Sequence, residues 1–275
     1  MLRFDIPRRQ STLSIIVSQL EVIYHSTVRR LRQTHFNAVT ALFMNMLTTL
    51  ILVAAFYLLY AILGRGGSRL RGDFLIYIMT GIFLYMTHVK TLGAVAGSEG
   101  PTSSMMQHAP MNTLVAIVSA ALSELYIQVL SVSIVLYVYH IAFKPVEFES
   151  MRGAFGMLLL AWFSGAAVGL NFLALKPWFP NLTKIASQVY TRANMIASGK
   201  MFVANTLPFT MIAMFDWNPL FHIIDQSRGF AFINYNPHHS SWTYPLGVAC
   251  VLLMTGFIGE SYTRKHASIS WTARA

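Results

Sequence analysis

Residues 38–63, AVTALFMNMLTTLILVAAFYLLYAIL, run through 26 positions without one charged side chain. A helix rises about 1.5 Å per residue, so a stretch of this length covers the roughly 30 Å of hydrocarbon in a bilayer. The segment therefore reads as a transmembrane helix. It ends in the turn Gly64-Arg65-Gly66-Gly67-Ser68, whose glycines and polar side chains mark the return to water. Working outward, similar apolar stretches recur at about 73–95, 112–141, 153–175 and 244–262. Composition agrees: of 275 residues, 55% are hydrophobic and 11% charged, whereas soluble domains carry roughly a quarter charged residues.

The fifth of six spans is expected at 182–204, which has helical spacing but carries Lys184, Arg192, Asn194 and Lys200. After Pro208 the apolar run Phe209–Phe215 is too short to cross, and a polar and aromatic region, 216–243, separates it from the last span. Apolar runs of this length are more often re-entrant or interfacial than spanning. Upstream, residues 10–33 place Leu13, Ile16, Val17, Leu20, Ile23, Tyr24, Val28 and Leu31 at three- and four-residue steps. Ser14, Ser18, Glu21 and His25 take the other side, and Arg29, Arg30 and Arg32 crowd the C-terminal end. That pattern fits an amphipathic helix lying on the membrane surface, or alternatively one packed on a partner protein.

The fold expected is thus an all-α membrane protein. It has six transmembrane helices, an N-terminal amphipathic interfacial helix, and short re-entrant helices between spans five and six. Residues 1–37 form the N-terminal segment, 38–263 the membrane domain and 264–275 a tail. The polar, Arg-bearing stretch before residue 38 does not read as a cleaved signal peptide. With the N-terminus inside, Lys and Arg number six in 1–37, two in the loop with Lys176 and Lys184, and three after residue 263, against six outside. The positive-inside rule then places both termini in the cytoplasm.

The net charge of +10 does not indicate nucleic acid, because the basic residues gather at the ends of apolar segments and build no basic face with interleaved aromatics. Cys250 lies in an apolar run without an intrachain partner, which excludes a disulfide framework and a cysteine metal site. His238 and His239, with His222, read as polar loop residues, and no metal is expected. Carboxylates are scattered and no nucleophile has a base at a recognisable spacing, so no catalytic residue is assigned. Ser198-Gly199-Lys200 is not a phosphate loop: Asn194 stands where that motif needs glycine and Met201 where it needs Ser or Thr. No cofactor is expected in this chain, and any ATP with its magnesium belongs to a separate subunit.

Charges inside a membrane usually face a bundle interior or a wet cavity. Glu124, Lys90, Arg192 and Lys200 qualify by position, with Lys184 nearer the end of the same segment. Arg192, Lys200 and Lys184 are candidate charges lining a hydrated route for an anionic substrate; structural ion pairing or snorkelling is the alternative. Aromatics such as Phe83, Tyr85, Phe163, Phe172, Tyr190 and Phe202 can stack on sugar rings or simply pack.

The stretch Trp217-Asn218-Pro219-Leu220-Phe221-His222-Ile223-Ile224-Asp225-Gln226-Ser227-Arg228 resembles a signature of the ABC-2 type permeases that export capsular polysaccharide from Gram-negative bacteria. Leu207-Pro208 and Ser198-Gly199 precede it as in that family. Gly81-Ile82-Phe83 through Met105-Met106, Pro110 and Leu122-Ser123-Glu124, and the C-terminal Gly256-Phe257 to Tyr262-Thr263-Arg264, are also similar. The family's "LG-x-x-W…P" element before the first span is absent. The resemblance implies a homodimer in the inner membrane, moving a long, acidic, lipid-linked polysaccharide and powered by a cytoplasmic ABC ATPase subunit. Periplasmic and outer-membrane export proteins are further implied partners. It also implies a coupling loop at 96–110, with Glu99, Ser103, Met106 and Gln107, seated in the ATPase. Asn218, Pro219, His222, Asp225 and Arg228 would belong to a re-entrant gate helix, with Asp225 and Arg228 on one face where they can pair. Other cargo (O-antigen, another glycolipid, a small hydrophobic compound), a membrane-bound sugar or acyl transferase, and a non-transporting scaffold are the competing readings.

Overall fold

The computed structural model describes residues 12–34, 38–62, 73–100 and 112–266. These residues form helices and the turns between them, with no strand. In chain order the helices are α1 (Thr12–Thr34), α2 (Ala38–Ile62), α3 (Phe74–Ala96), α4 (Thr113–Ala142), α5 (Met151–Leu175), α6 (Pro180–Ala197), α7 (Phe209–Phe215), α8 (Pro219–Ala231) and α9 (Thr243–His266). Caps that the sequence supplies set several starts. Asp73 accepts from Leu75 N–H at 2.9 Å, Asn112 from Leu114 N–H at 3.3 Å and Ser150 from Gly153 N–H at 3.2 Å, each satisfying a donor the first helical turn leaves open.

Among the described residues, five helices (α2, α3, α4, α5 and α9) are long and apolar enough to cross a membrane, against the six spans expected. The expected fifth span is α6, whose 18 residues include Lys184, Arg192 and Asn194, and it stops at Ala197 instead of reaching 204. The stop is local: Gly199 takes φ +73°, a left-handed conformation that ends a helix and suits glycine. The short helices expected before the last span are α7, 7 residues, and α8, 13 residues. At about 1.5 Å per residue, neither reaches across a bilayer. Residues 1–11, 35–37 and 267–275 of the two terminal segments lie outside the described residues, as do Ser103, Met106 and Gln107 of the expected coupling loop.

Helix α3 is the axis of the bundle: it is buried continuously from Ile76 to His88, and α5, α4, α8 and α2 pack around it. Between two helices that both sit in lipid, apolar area gives little drive for association; close backbone approach and interhelical hydrogen bonds take over. The sequence Gly165-Ala166-Ala167-Val168-Gly169 on α5 permits that approach. A Cβ at 165 would lie 2.4 Å from the His88 carbonyl oxygen, and one at 169 would lie 2.7 Å from that of Leu92. Gly165→Val is therefore expected to separate α3 from α5. At the upper end of the roughly 1–3 kcal/mol cost of overpacking, a fall of several degrees in the thermal midpoint of the purified protein follows, with the silent control Gly247→Ala, where a Cβ meets nothing within 4 Å.

Polar side chains complete the seams. His88 Nδ1 meets Ser164 Oγ at 2.9 Å and its Nε2 meets the Tyr190 hydroxyl at 3.0 Å, joining α3, α5 and α6. Asn45 Nδ2 donates to Ser131 Oγ at 2.9 Å while its Oδ1 accepts from Gln128 Nε2 at 3.1 Å, joining α2 to α4. Asn171 Nδ2 donates to the Leu252 carbonyl at 2.7 Å between α5 and α9. These contacts also set helix direction. The C-terminal ends of α3, α5 and α9 share one end of the bundle, where Trp178 Nε1 donates to Thr263 Oγ1 at 2.9 Å. The start of α5 and the end of α8 share the other, where Ser150 N–H donates to the Phe230 carbonyl at 2.9 Å.

Helix α1 packs along α4 and is tied to the end of α3, since Arg30 Nη2 donates to the Ala94 carbonyl at 3.0 Å. Burial works against the Arg30 charge, and the carboxylates of Glu99 and Glu124 work in its favour. Val17, Leu20 and Tyr24 remain exposed along the same helix.

Candidate functional site

The signature stretch forms α8 and the turn before it. Asn218 starts the helix: its Oδ1 accepts from Leu220 N–H at 3.0 Å, while Pro219 occupies the first helical position, where the missing N–H has no consequence. The Asn218 amide group also donates to Asn194 Oδ1 at 2.9 Å and to the Ala197 carbonyl at 3.0 Å, fastening the start of α8 to the end of α6. Behind the cap, Leu220, Phe221, Ile223 and Ile224 are all at most 1% exposed and bury α8 against α3 and α5.

Arg228 is the largest fully buried side chain among the described residues. Its Nη1 donates to the carbonyls of Gly199 at 3.0 Å and Phe202 at 2.7 Å, and its Nη2 to that of Lys200 at 2.7 Å. The guanidinium lies over the Tyr77 ring, 4.2 Å from its centroid. One rigid fork thus collects three carbonyls that no helix satisfies and stacks on an aromatic face, two things a lysine ammonium does poorly. Gly81 on α3 makes room: a Cβ there would lie 2.8 Å from Lys200 Cβ and 3.1 Å from Arg228 Nη2.

Asp225 does not pair with Arg228, contrary to the expectation from their spacing. Its carboxylate accepts from the Tyr235 hydroxyl and, at 2.6 Å, from the Ser240 hydroxyl. Burial, followed by the Asp225 charge, pushes the Tyr235 phenol well above its ordinary range and keeps it a donor. The two residues share a helix side, but one holds the segment before α8 and the other the segment after it. His222 Nδ1 accepts from Ser241 N–H at 3.2 Å, so Nε2 carries the proton and donates to the Asp216 carbonyl at 2.6 Å. Gln226 donates to the Ser240 carbonyl at 2.8 Å. Helix α8 is therefore a hub that sews residues 197–202, 216 and 235–241 into one unit.

The three candidate channel charges divide. Lys184 and Arg192 are exposed on α6, with Gln188 between them at four-residue steps along one face. Lys200 is 3% exposed. Its Nζ lies 3.4 Å from the Tyr85 ring centroid and 5.1 Å from that of Phe56, and no hydrogen bond reaches it among the described residues. Desolvating an ammonium costs several kcal/mol, whereas a desolvated cation–π contact returns about 2 kcal/mol. Lys200→Met, which keeps the stem and drops the charge, is thus expected to raise the thermal midpoint of the purified protein by a few degrees. Glu124, half-buried, accepts from Gln128 at 2.7 Å, and Glu99 is exposed beside the end of α3. Among the described residues no three His, Cys, Asp or Glu side chains gather as metal ligands.

Aligned with curated proteins, the chain is 25% identical over 225 residues to a "Polysialic acid transport protein KpsM" of Escherichia coli, covering 78% of this chain and 83% of that protein. A second Escherichia coli protein of that name is 24% identical over 187 residues, covering 66% and 68%. The resemblance to capsular polysaccharide export permeases is borne out. No family model matches the chain. With its five long apolar helices, the chain is a multi-pass, helical membrane protein, and its likeness to both relatives extends over most of its length.

Several residues of the hub escape a linear reading. Tyr77, Tyr235 and Ser240 carry no motif of their own, because their partners stand 10 to more than 100 positions away. The one available signal is the run Asn234-Tyr235-Asn236-Pro237, a turn-former that brings the chain back over α8.

Proposed function

We propose that this chain is the membrane permease of an ATP-driven exporter, carrying a long, acidic, lipid-linked polysaccharide across the inner membrane as a homodimer. A separate cytoplasmic ABC ATPase binds and hydrolyses the nucleotide. The observation that carries the reading is the similarity to two polysialic acid transport proteins over most of the chain. The geometry supports it. Helix α6 runs alongside α3: Tyr190 stands level with His88, Thr191 with Tyr85, and Lys200 with Gly81. In this reading the stretch 180–203 serves as a sixth crossing, with Lys184, Gln188 and Arg192 on an exposed polar face. A bundle-forming helix that leaves such a face open beside exposed Leu182, Ile185 and Val189 suits a route shared with a second copy.

In this reading α7 and α8 form a re-entrant gate. Asn218 sits at the level of Asn194 and Ala197, while Arg228 lies higher, near Tyr77, so the chain dips into the bundle and returns. The gate is expected at the outer end. The coupling loop is expected at the opposite, cytoplasmic end, after Glu99 and next to α1, whose exposed apolar residues rest on the inner leaflet. ATP-driven movement of the loop shifts the bundle between states, and Asp225, Arg228 and His222 keep the gate segments moving as one body.

The test is a deletion strain. Loss of surface polysaccharide with lipid-linked polymer accumulating in the cytoplasm is the expected result, restored by this chain together with its ATPase. Cysteines at Ser103 or Met106 should crosslink to that ATPase. Unchanged surface polymer, or ATP hydrolysis by the purified chain alone, refutes the proposal.

A further inference from the structure

Helices α4 and α5 touch little, and a crevice of about 520 Å³ opens between them. Val129, Val132, Ser133, Leu136, Tyr137 and His140 line it from α4, a stripe at three- and four-residue steps that runs roughly 16 Å at 1.5 Å per residue. The rear wall is α3, at Thr80, Phe83 and Leu84, together with Ser227 of the gate helix α8. A cavity of this size, mostly apolar with a few polar groups, has the character of a ligand site. Here the polar groups are placed unequally. Ser227 is 2% exposed, and its hydroxyl makes no hydrogen bond among the described residues. At the end of α4, Val146 N–H donates to His140 Nδ1 at 3.0 Å, so His140 Nε2 carries a proton with no acceptor among the described residues. The Tyr137 hydroxyl beside it is likewise unbonded there.

We infer that this crevice binds one acyl chain of a bilayer lipid, behind the gate helix. Its mouth is continuous with the exposed apolar residues Tyr137, Val138, Met151 and Phe155, which face hydrocarbon in a membrane-spanning bundle, so the neighbouring phase is acyl chain and not water. The donors His140 Nε2–H and Tyr137 O–H stand together at the end of α4, where a lipid presents the ester and phosphate oxygens that accept from them. The apolar channel below takes the chain. Exposed charge at the nearby loop is mixed (Lys144 and Arg152 with Glu147 and Glu149), so recognition rests on the ester and phosphate acceptors and the chain, not on net headgroup charge. Because Ser227 adjoins Arg228, the chain touches the hub on the side away from residues 199–202. This goes beyond the export reading and holds whatever the cargo.

The experiment uses the full chain in lipid nanodiscs, as Ser227→Cys in a Cys250→Ser background, with N-dodecylmaleimide and the cationic thiosulfonate MTSET as probes. The alkyl reagent is expected to modify Cys at 227 at least tenfold faster than N-ethylmaleimide, with MTSET slower still. Filling the crevice with Ala154→Phe, or with the milder Ser133→Leu should the first not purify, is expected to cut the dodecyl rate at least tenfold at unchanged thermal midpoint. Modification by MTSET as fast as by the alkyl reagent would show a wet cavity and overturn the inference. So would a dodecyl rate indifferent to both fillers, or no modification by any probe.

Discussion

Arg228→Lys is expected to abolish export as completely as Arg228→Ala, although it preserves the charge. The guanidinium serves the carbonyls of Gly199, Lys200 and Phe202 at once and lies over Tyr77. A buried carbonyl left without a donor costs about 1–3 kcal/mol. An ammonium at this site reaches one of the three and loses the stacking; the Gly199 carbonyl keeps the Phe202 N–H at 3.3 Å, so at least one buried carbonyl goes unsatisfied against a total stability of only about 5–15 kcal/mol. The 199–203 turn then separates from α3 and from the end of α8, leaving the Asn218 contacts to Asn194 and Ala197 as the remaining link between α6 and α8. The measurement is surface polysaccharide in a complemented deletion strain, read beside the amount of monodisperse protein extracted from the same membranes. Arg228→Lys at full export would show that charge alone is required and that the three-carbonyl contact is dispensable.

The second large effect concerns Asp225. If it paired with Arg228, exchanging the two charges would restore what either reversal destroys. The geometry gives the opposite expectation: the double exchange Asp225→Arg, Arg228→Asp is as inactive as the worse single variant. An arginine at 225 faces the hydroxyls of Tyr235 and Ser240, and an aspartate at 228 faces three carbonyls, so each site receives the wrong chemistry in place of a partner. Asp225→Asn, which keeps an acceptor for those hydroxyls, is expected to retain more export than Asp225→Ala. Burying an uncompensated charge without its donors costs about 3–5 kcal/mol, so the double exchange should also lower extractable protein severalfold. Recovery of export in the double variant would restore the direct pair and remove the hub as described.

How much of this was readable in advance differs between elements for physical reasons. A membrane span is set by length and apolarity, both local properties, so α2, α3, α4, α5 and α9 lie within a few residues of where the apolar runs place them. Helix α6 was readable as a helix but not in extent, because its end depends on Gly199 adopting φ +73° beneath Phe221, a neighbour 22 positions away. In the same way the spacing of Asp225 and Arg228 told which side of a helix they share, yet not what covers that side. Lys200 reads as an intramembrane cation, and only the packed fold shows it enclosed by Phe56 and Tyr85 instead of open to a channel.

By itself, the sequence determined that the chain lives in a bilayer, where its five long apolar helices lie (though it expected α6 as a sixth span), where short helices interrupt them, and which known permeases it resembles. Those follow from hydrophobic length and from residue order along the chain. The tertiary structure alone decided which side chains meet: that α8 joins the segments before and after it through Arg228 and Asp225 separately, and that α4 and α5 part to leave a crevice. Backbone carbonyls have no signature in a sequence, and neither does an unfilled volume, so contacts built from them become visible only once the helices are in place.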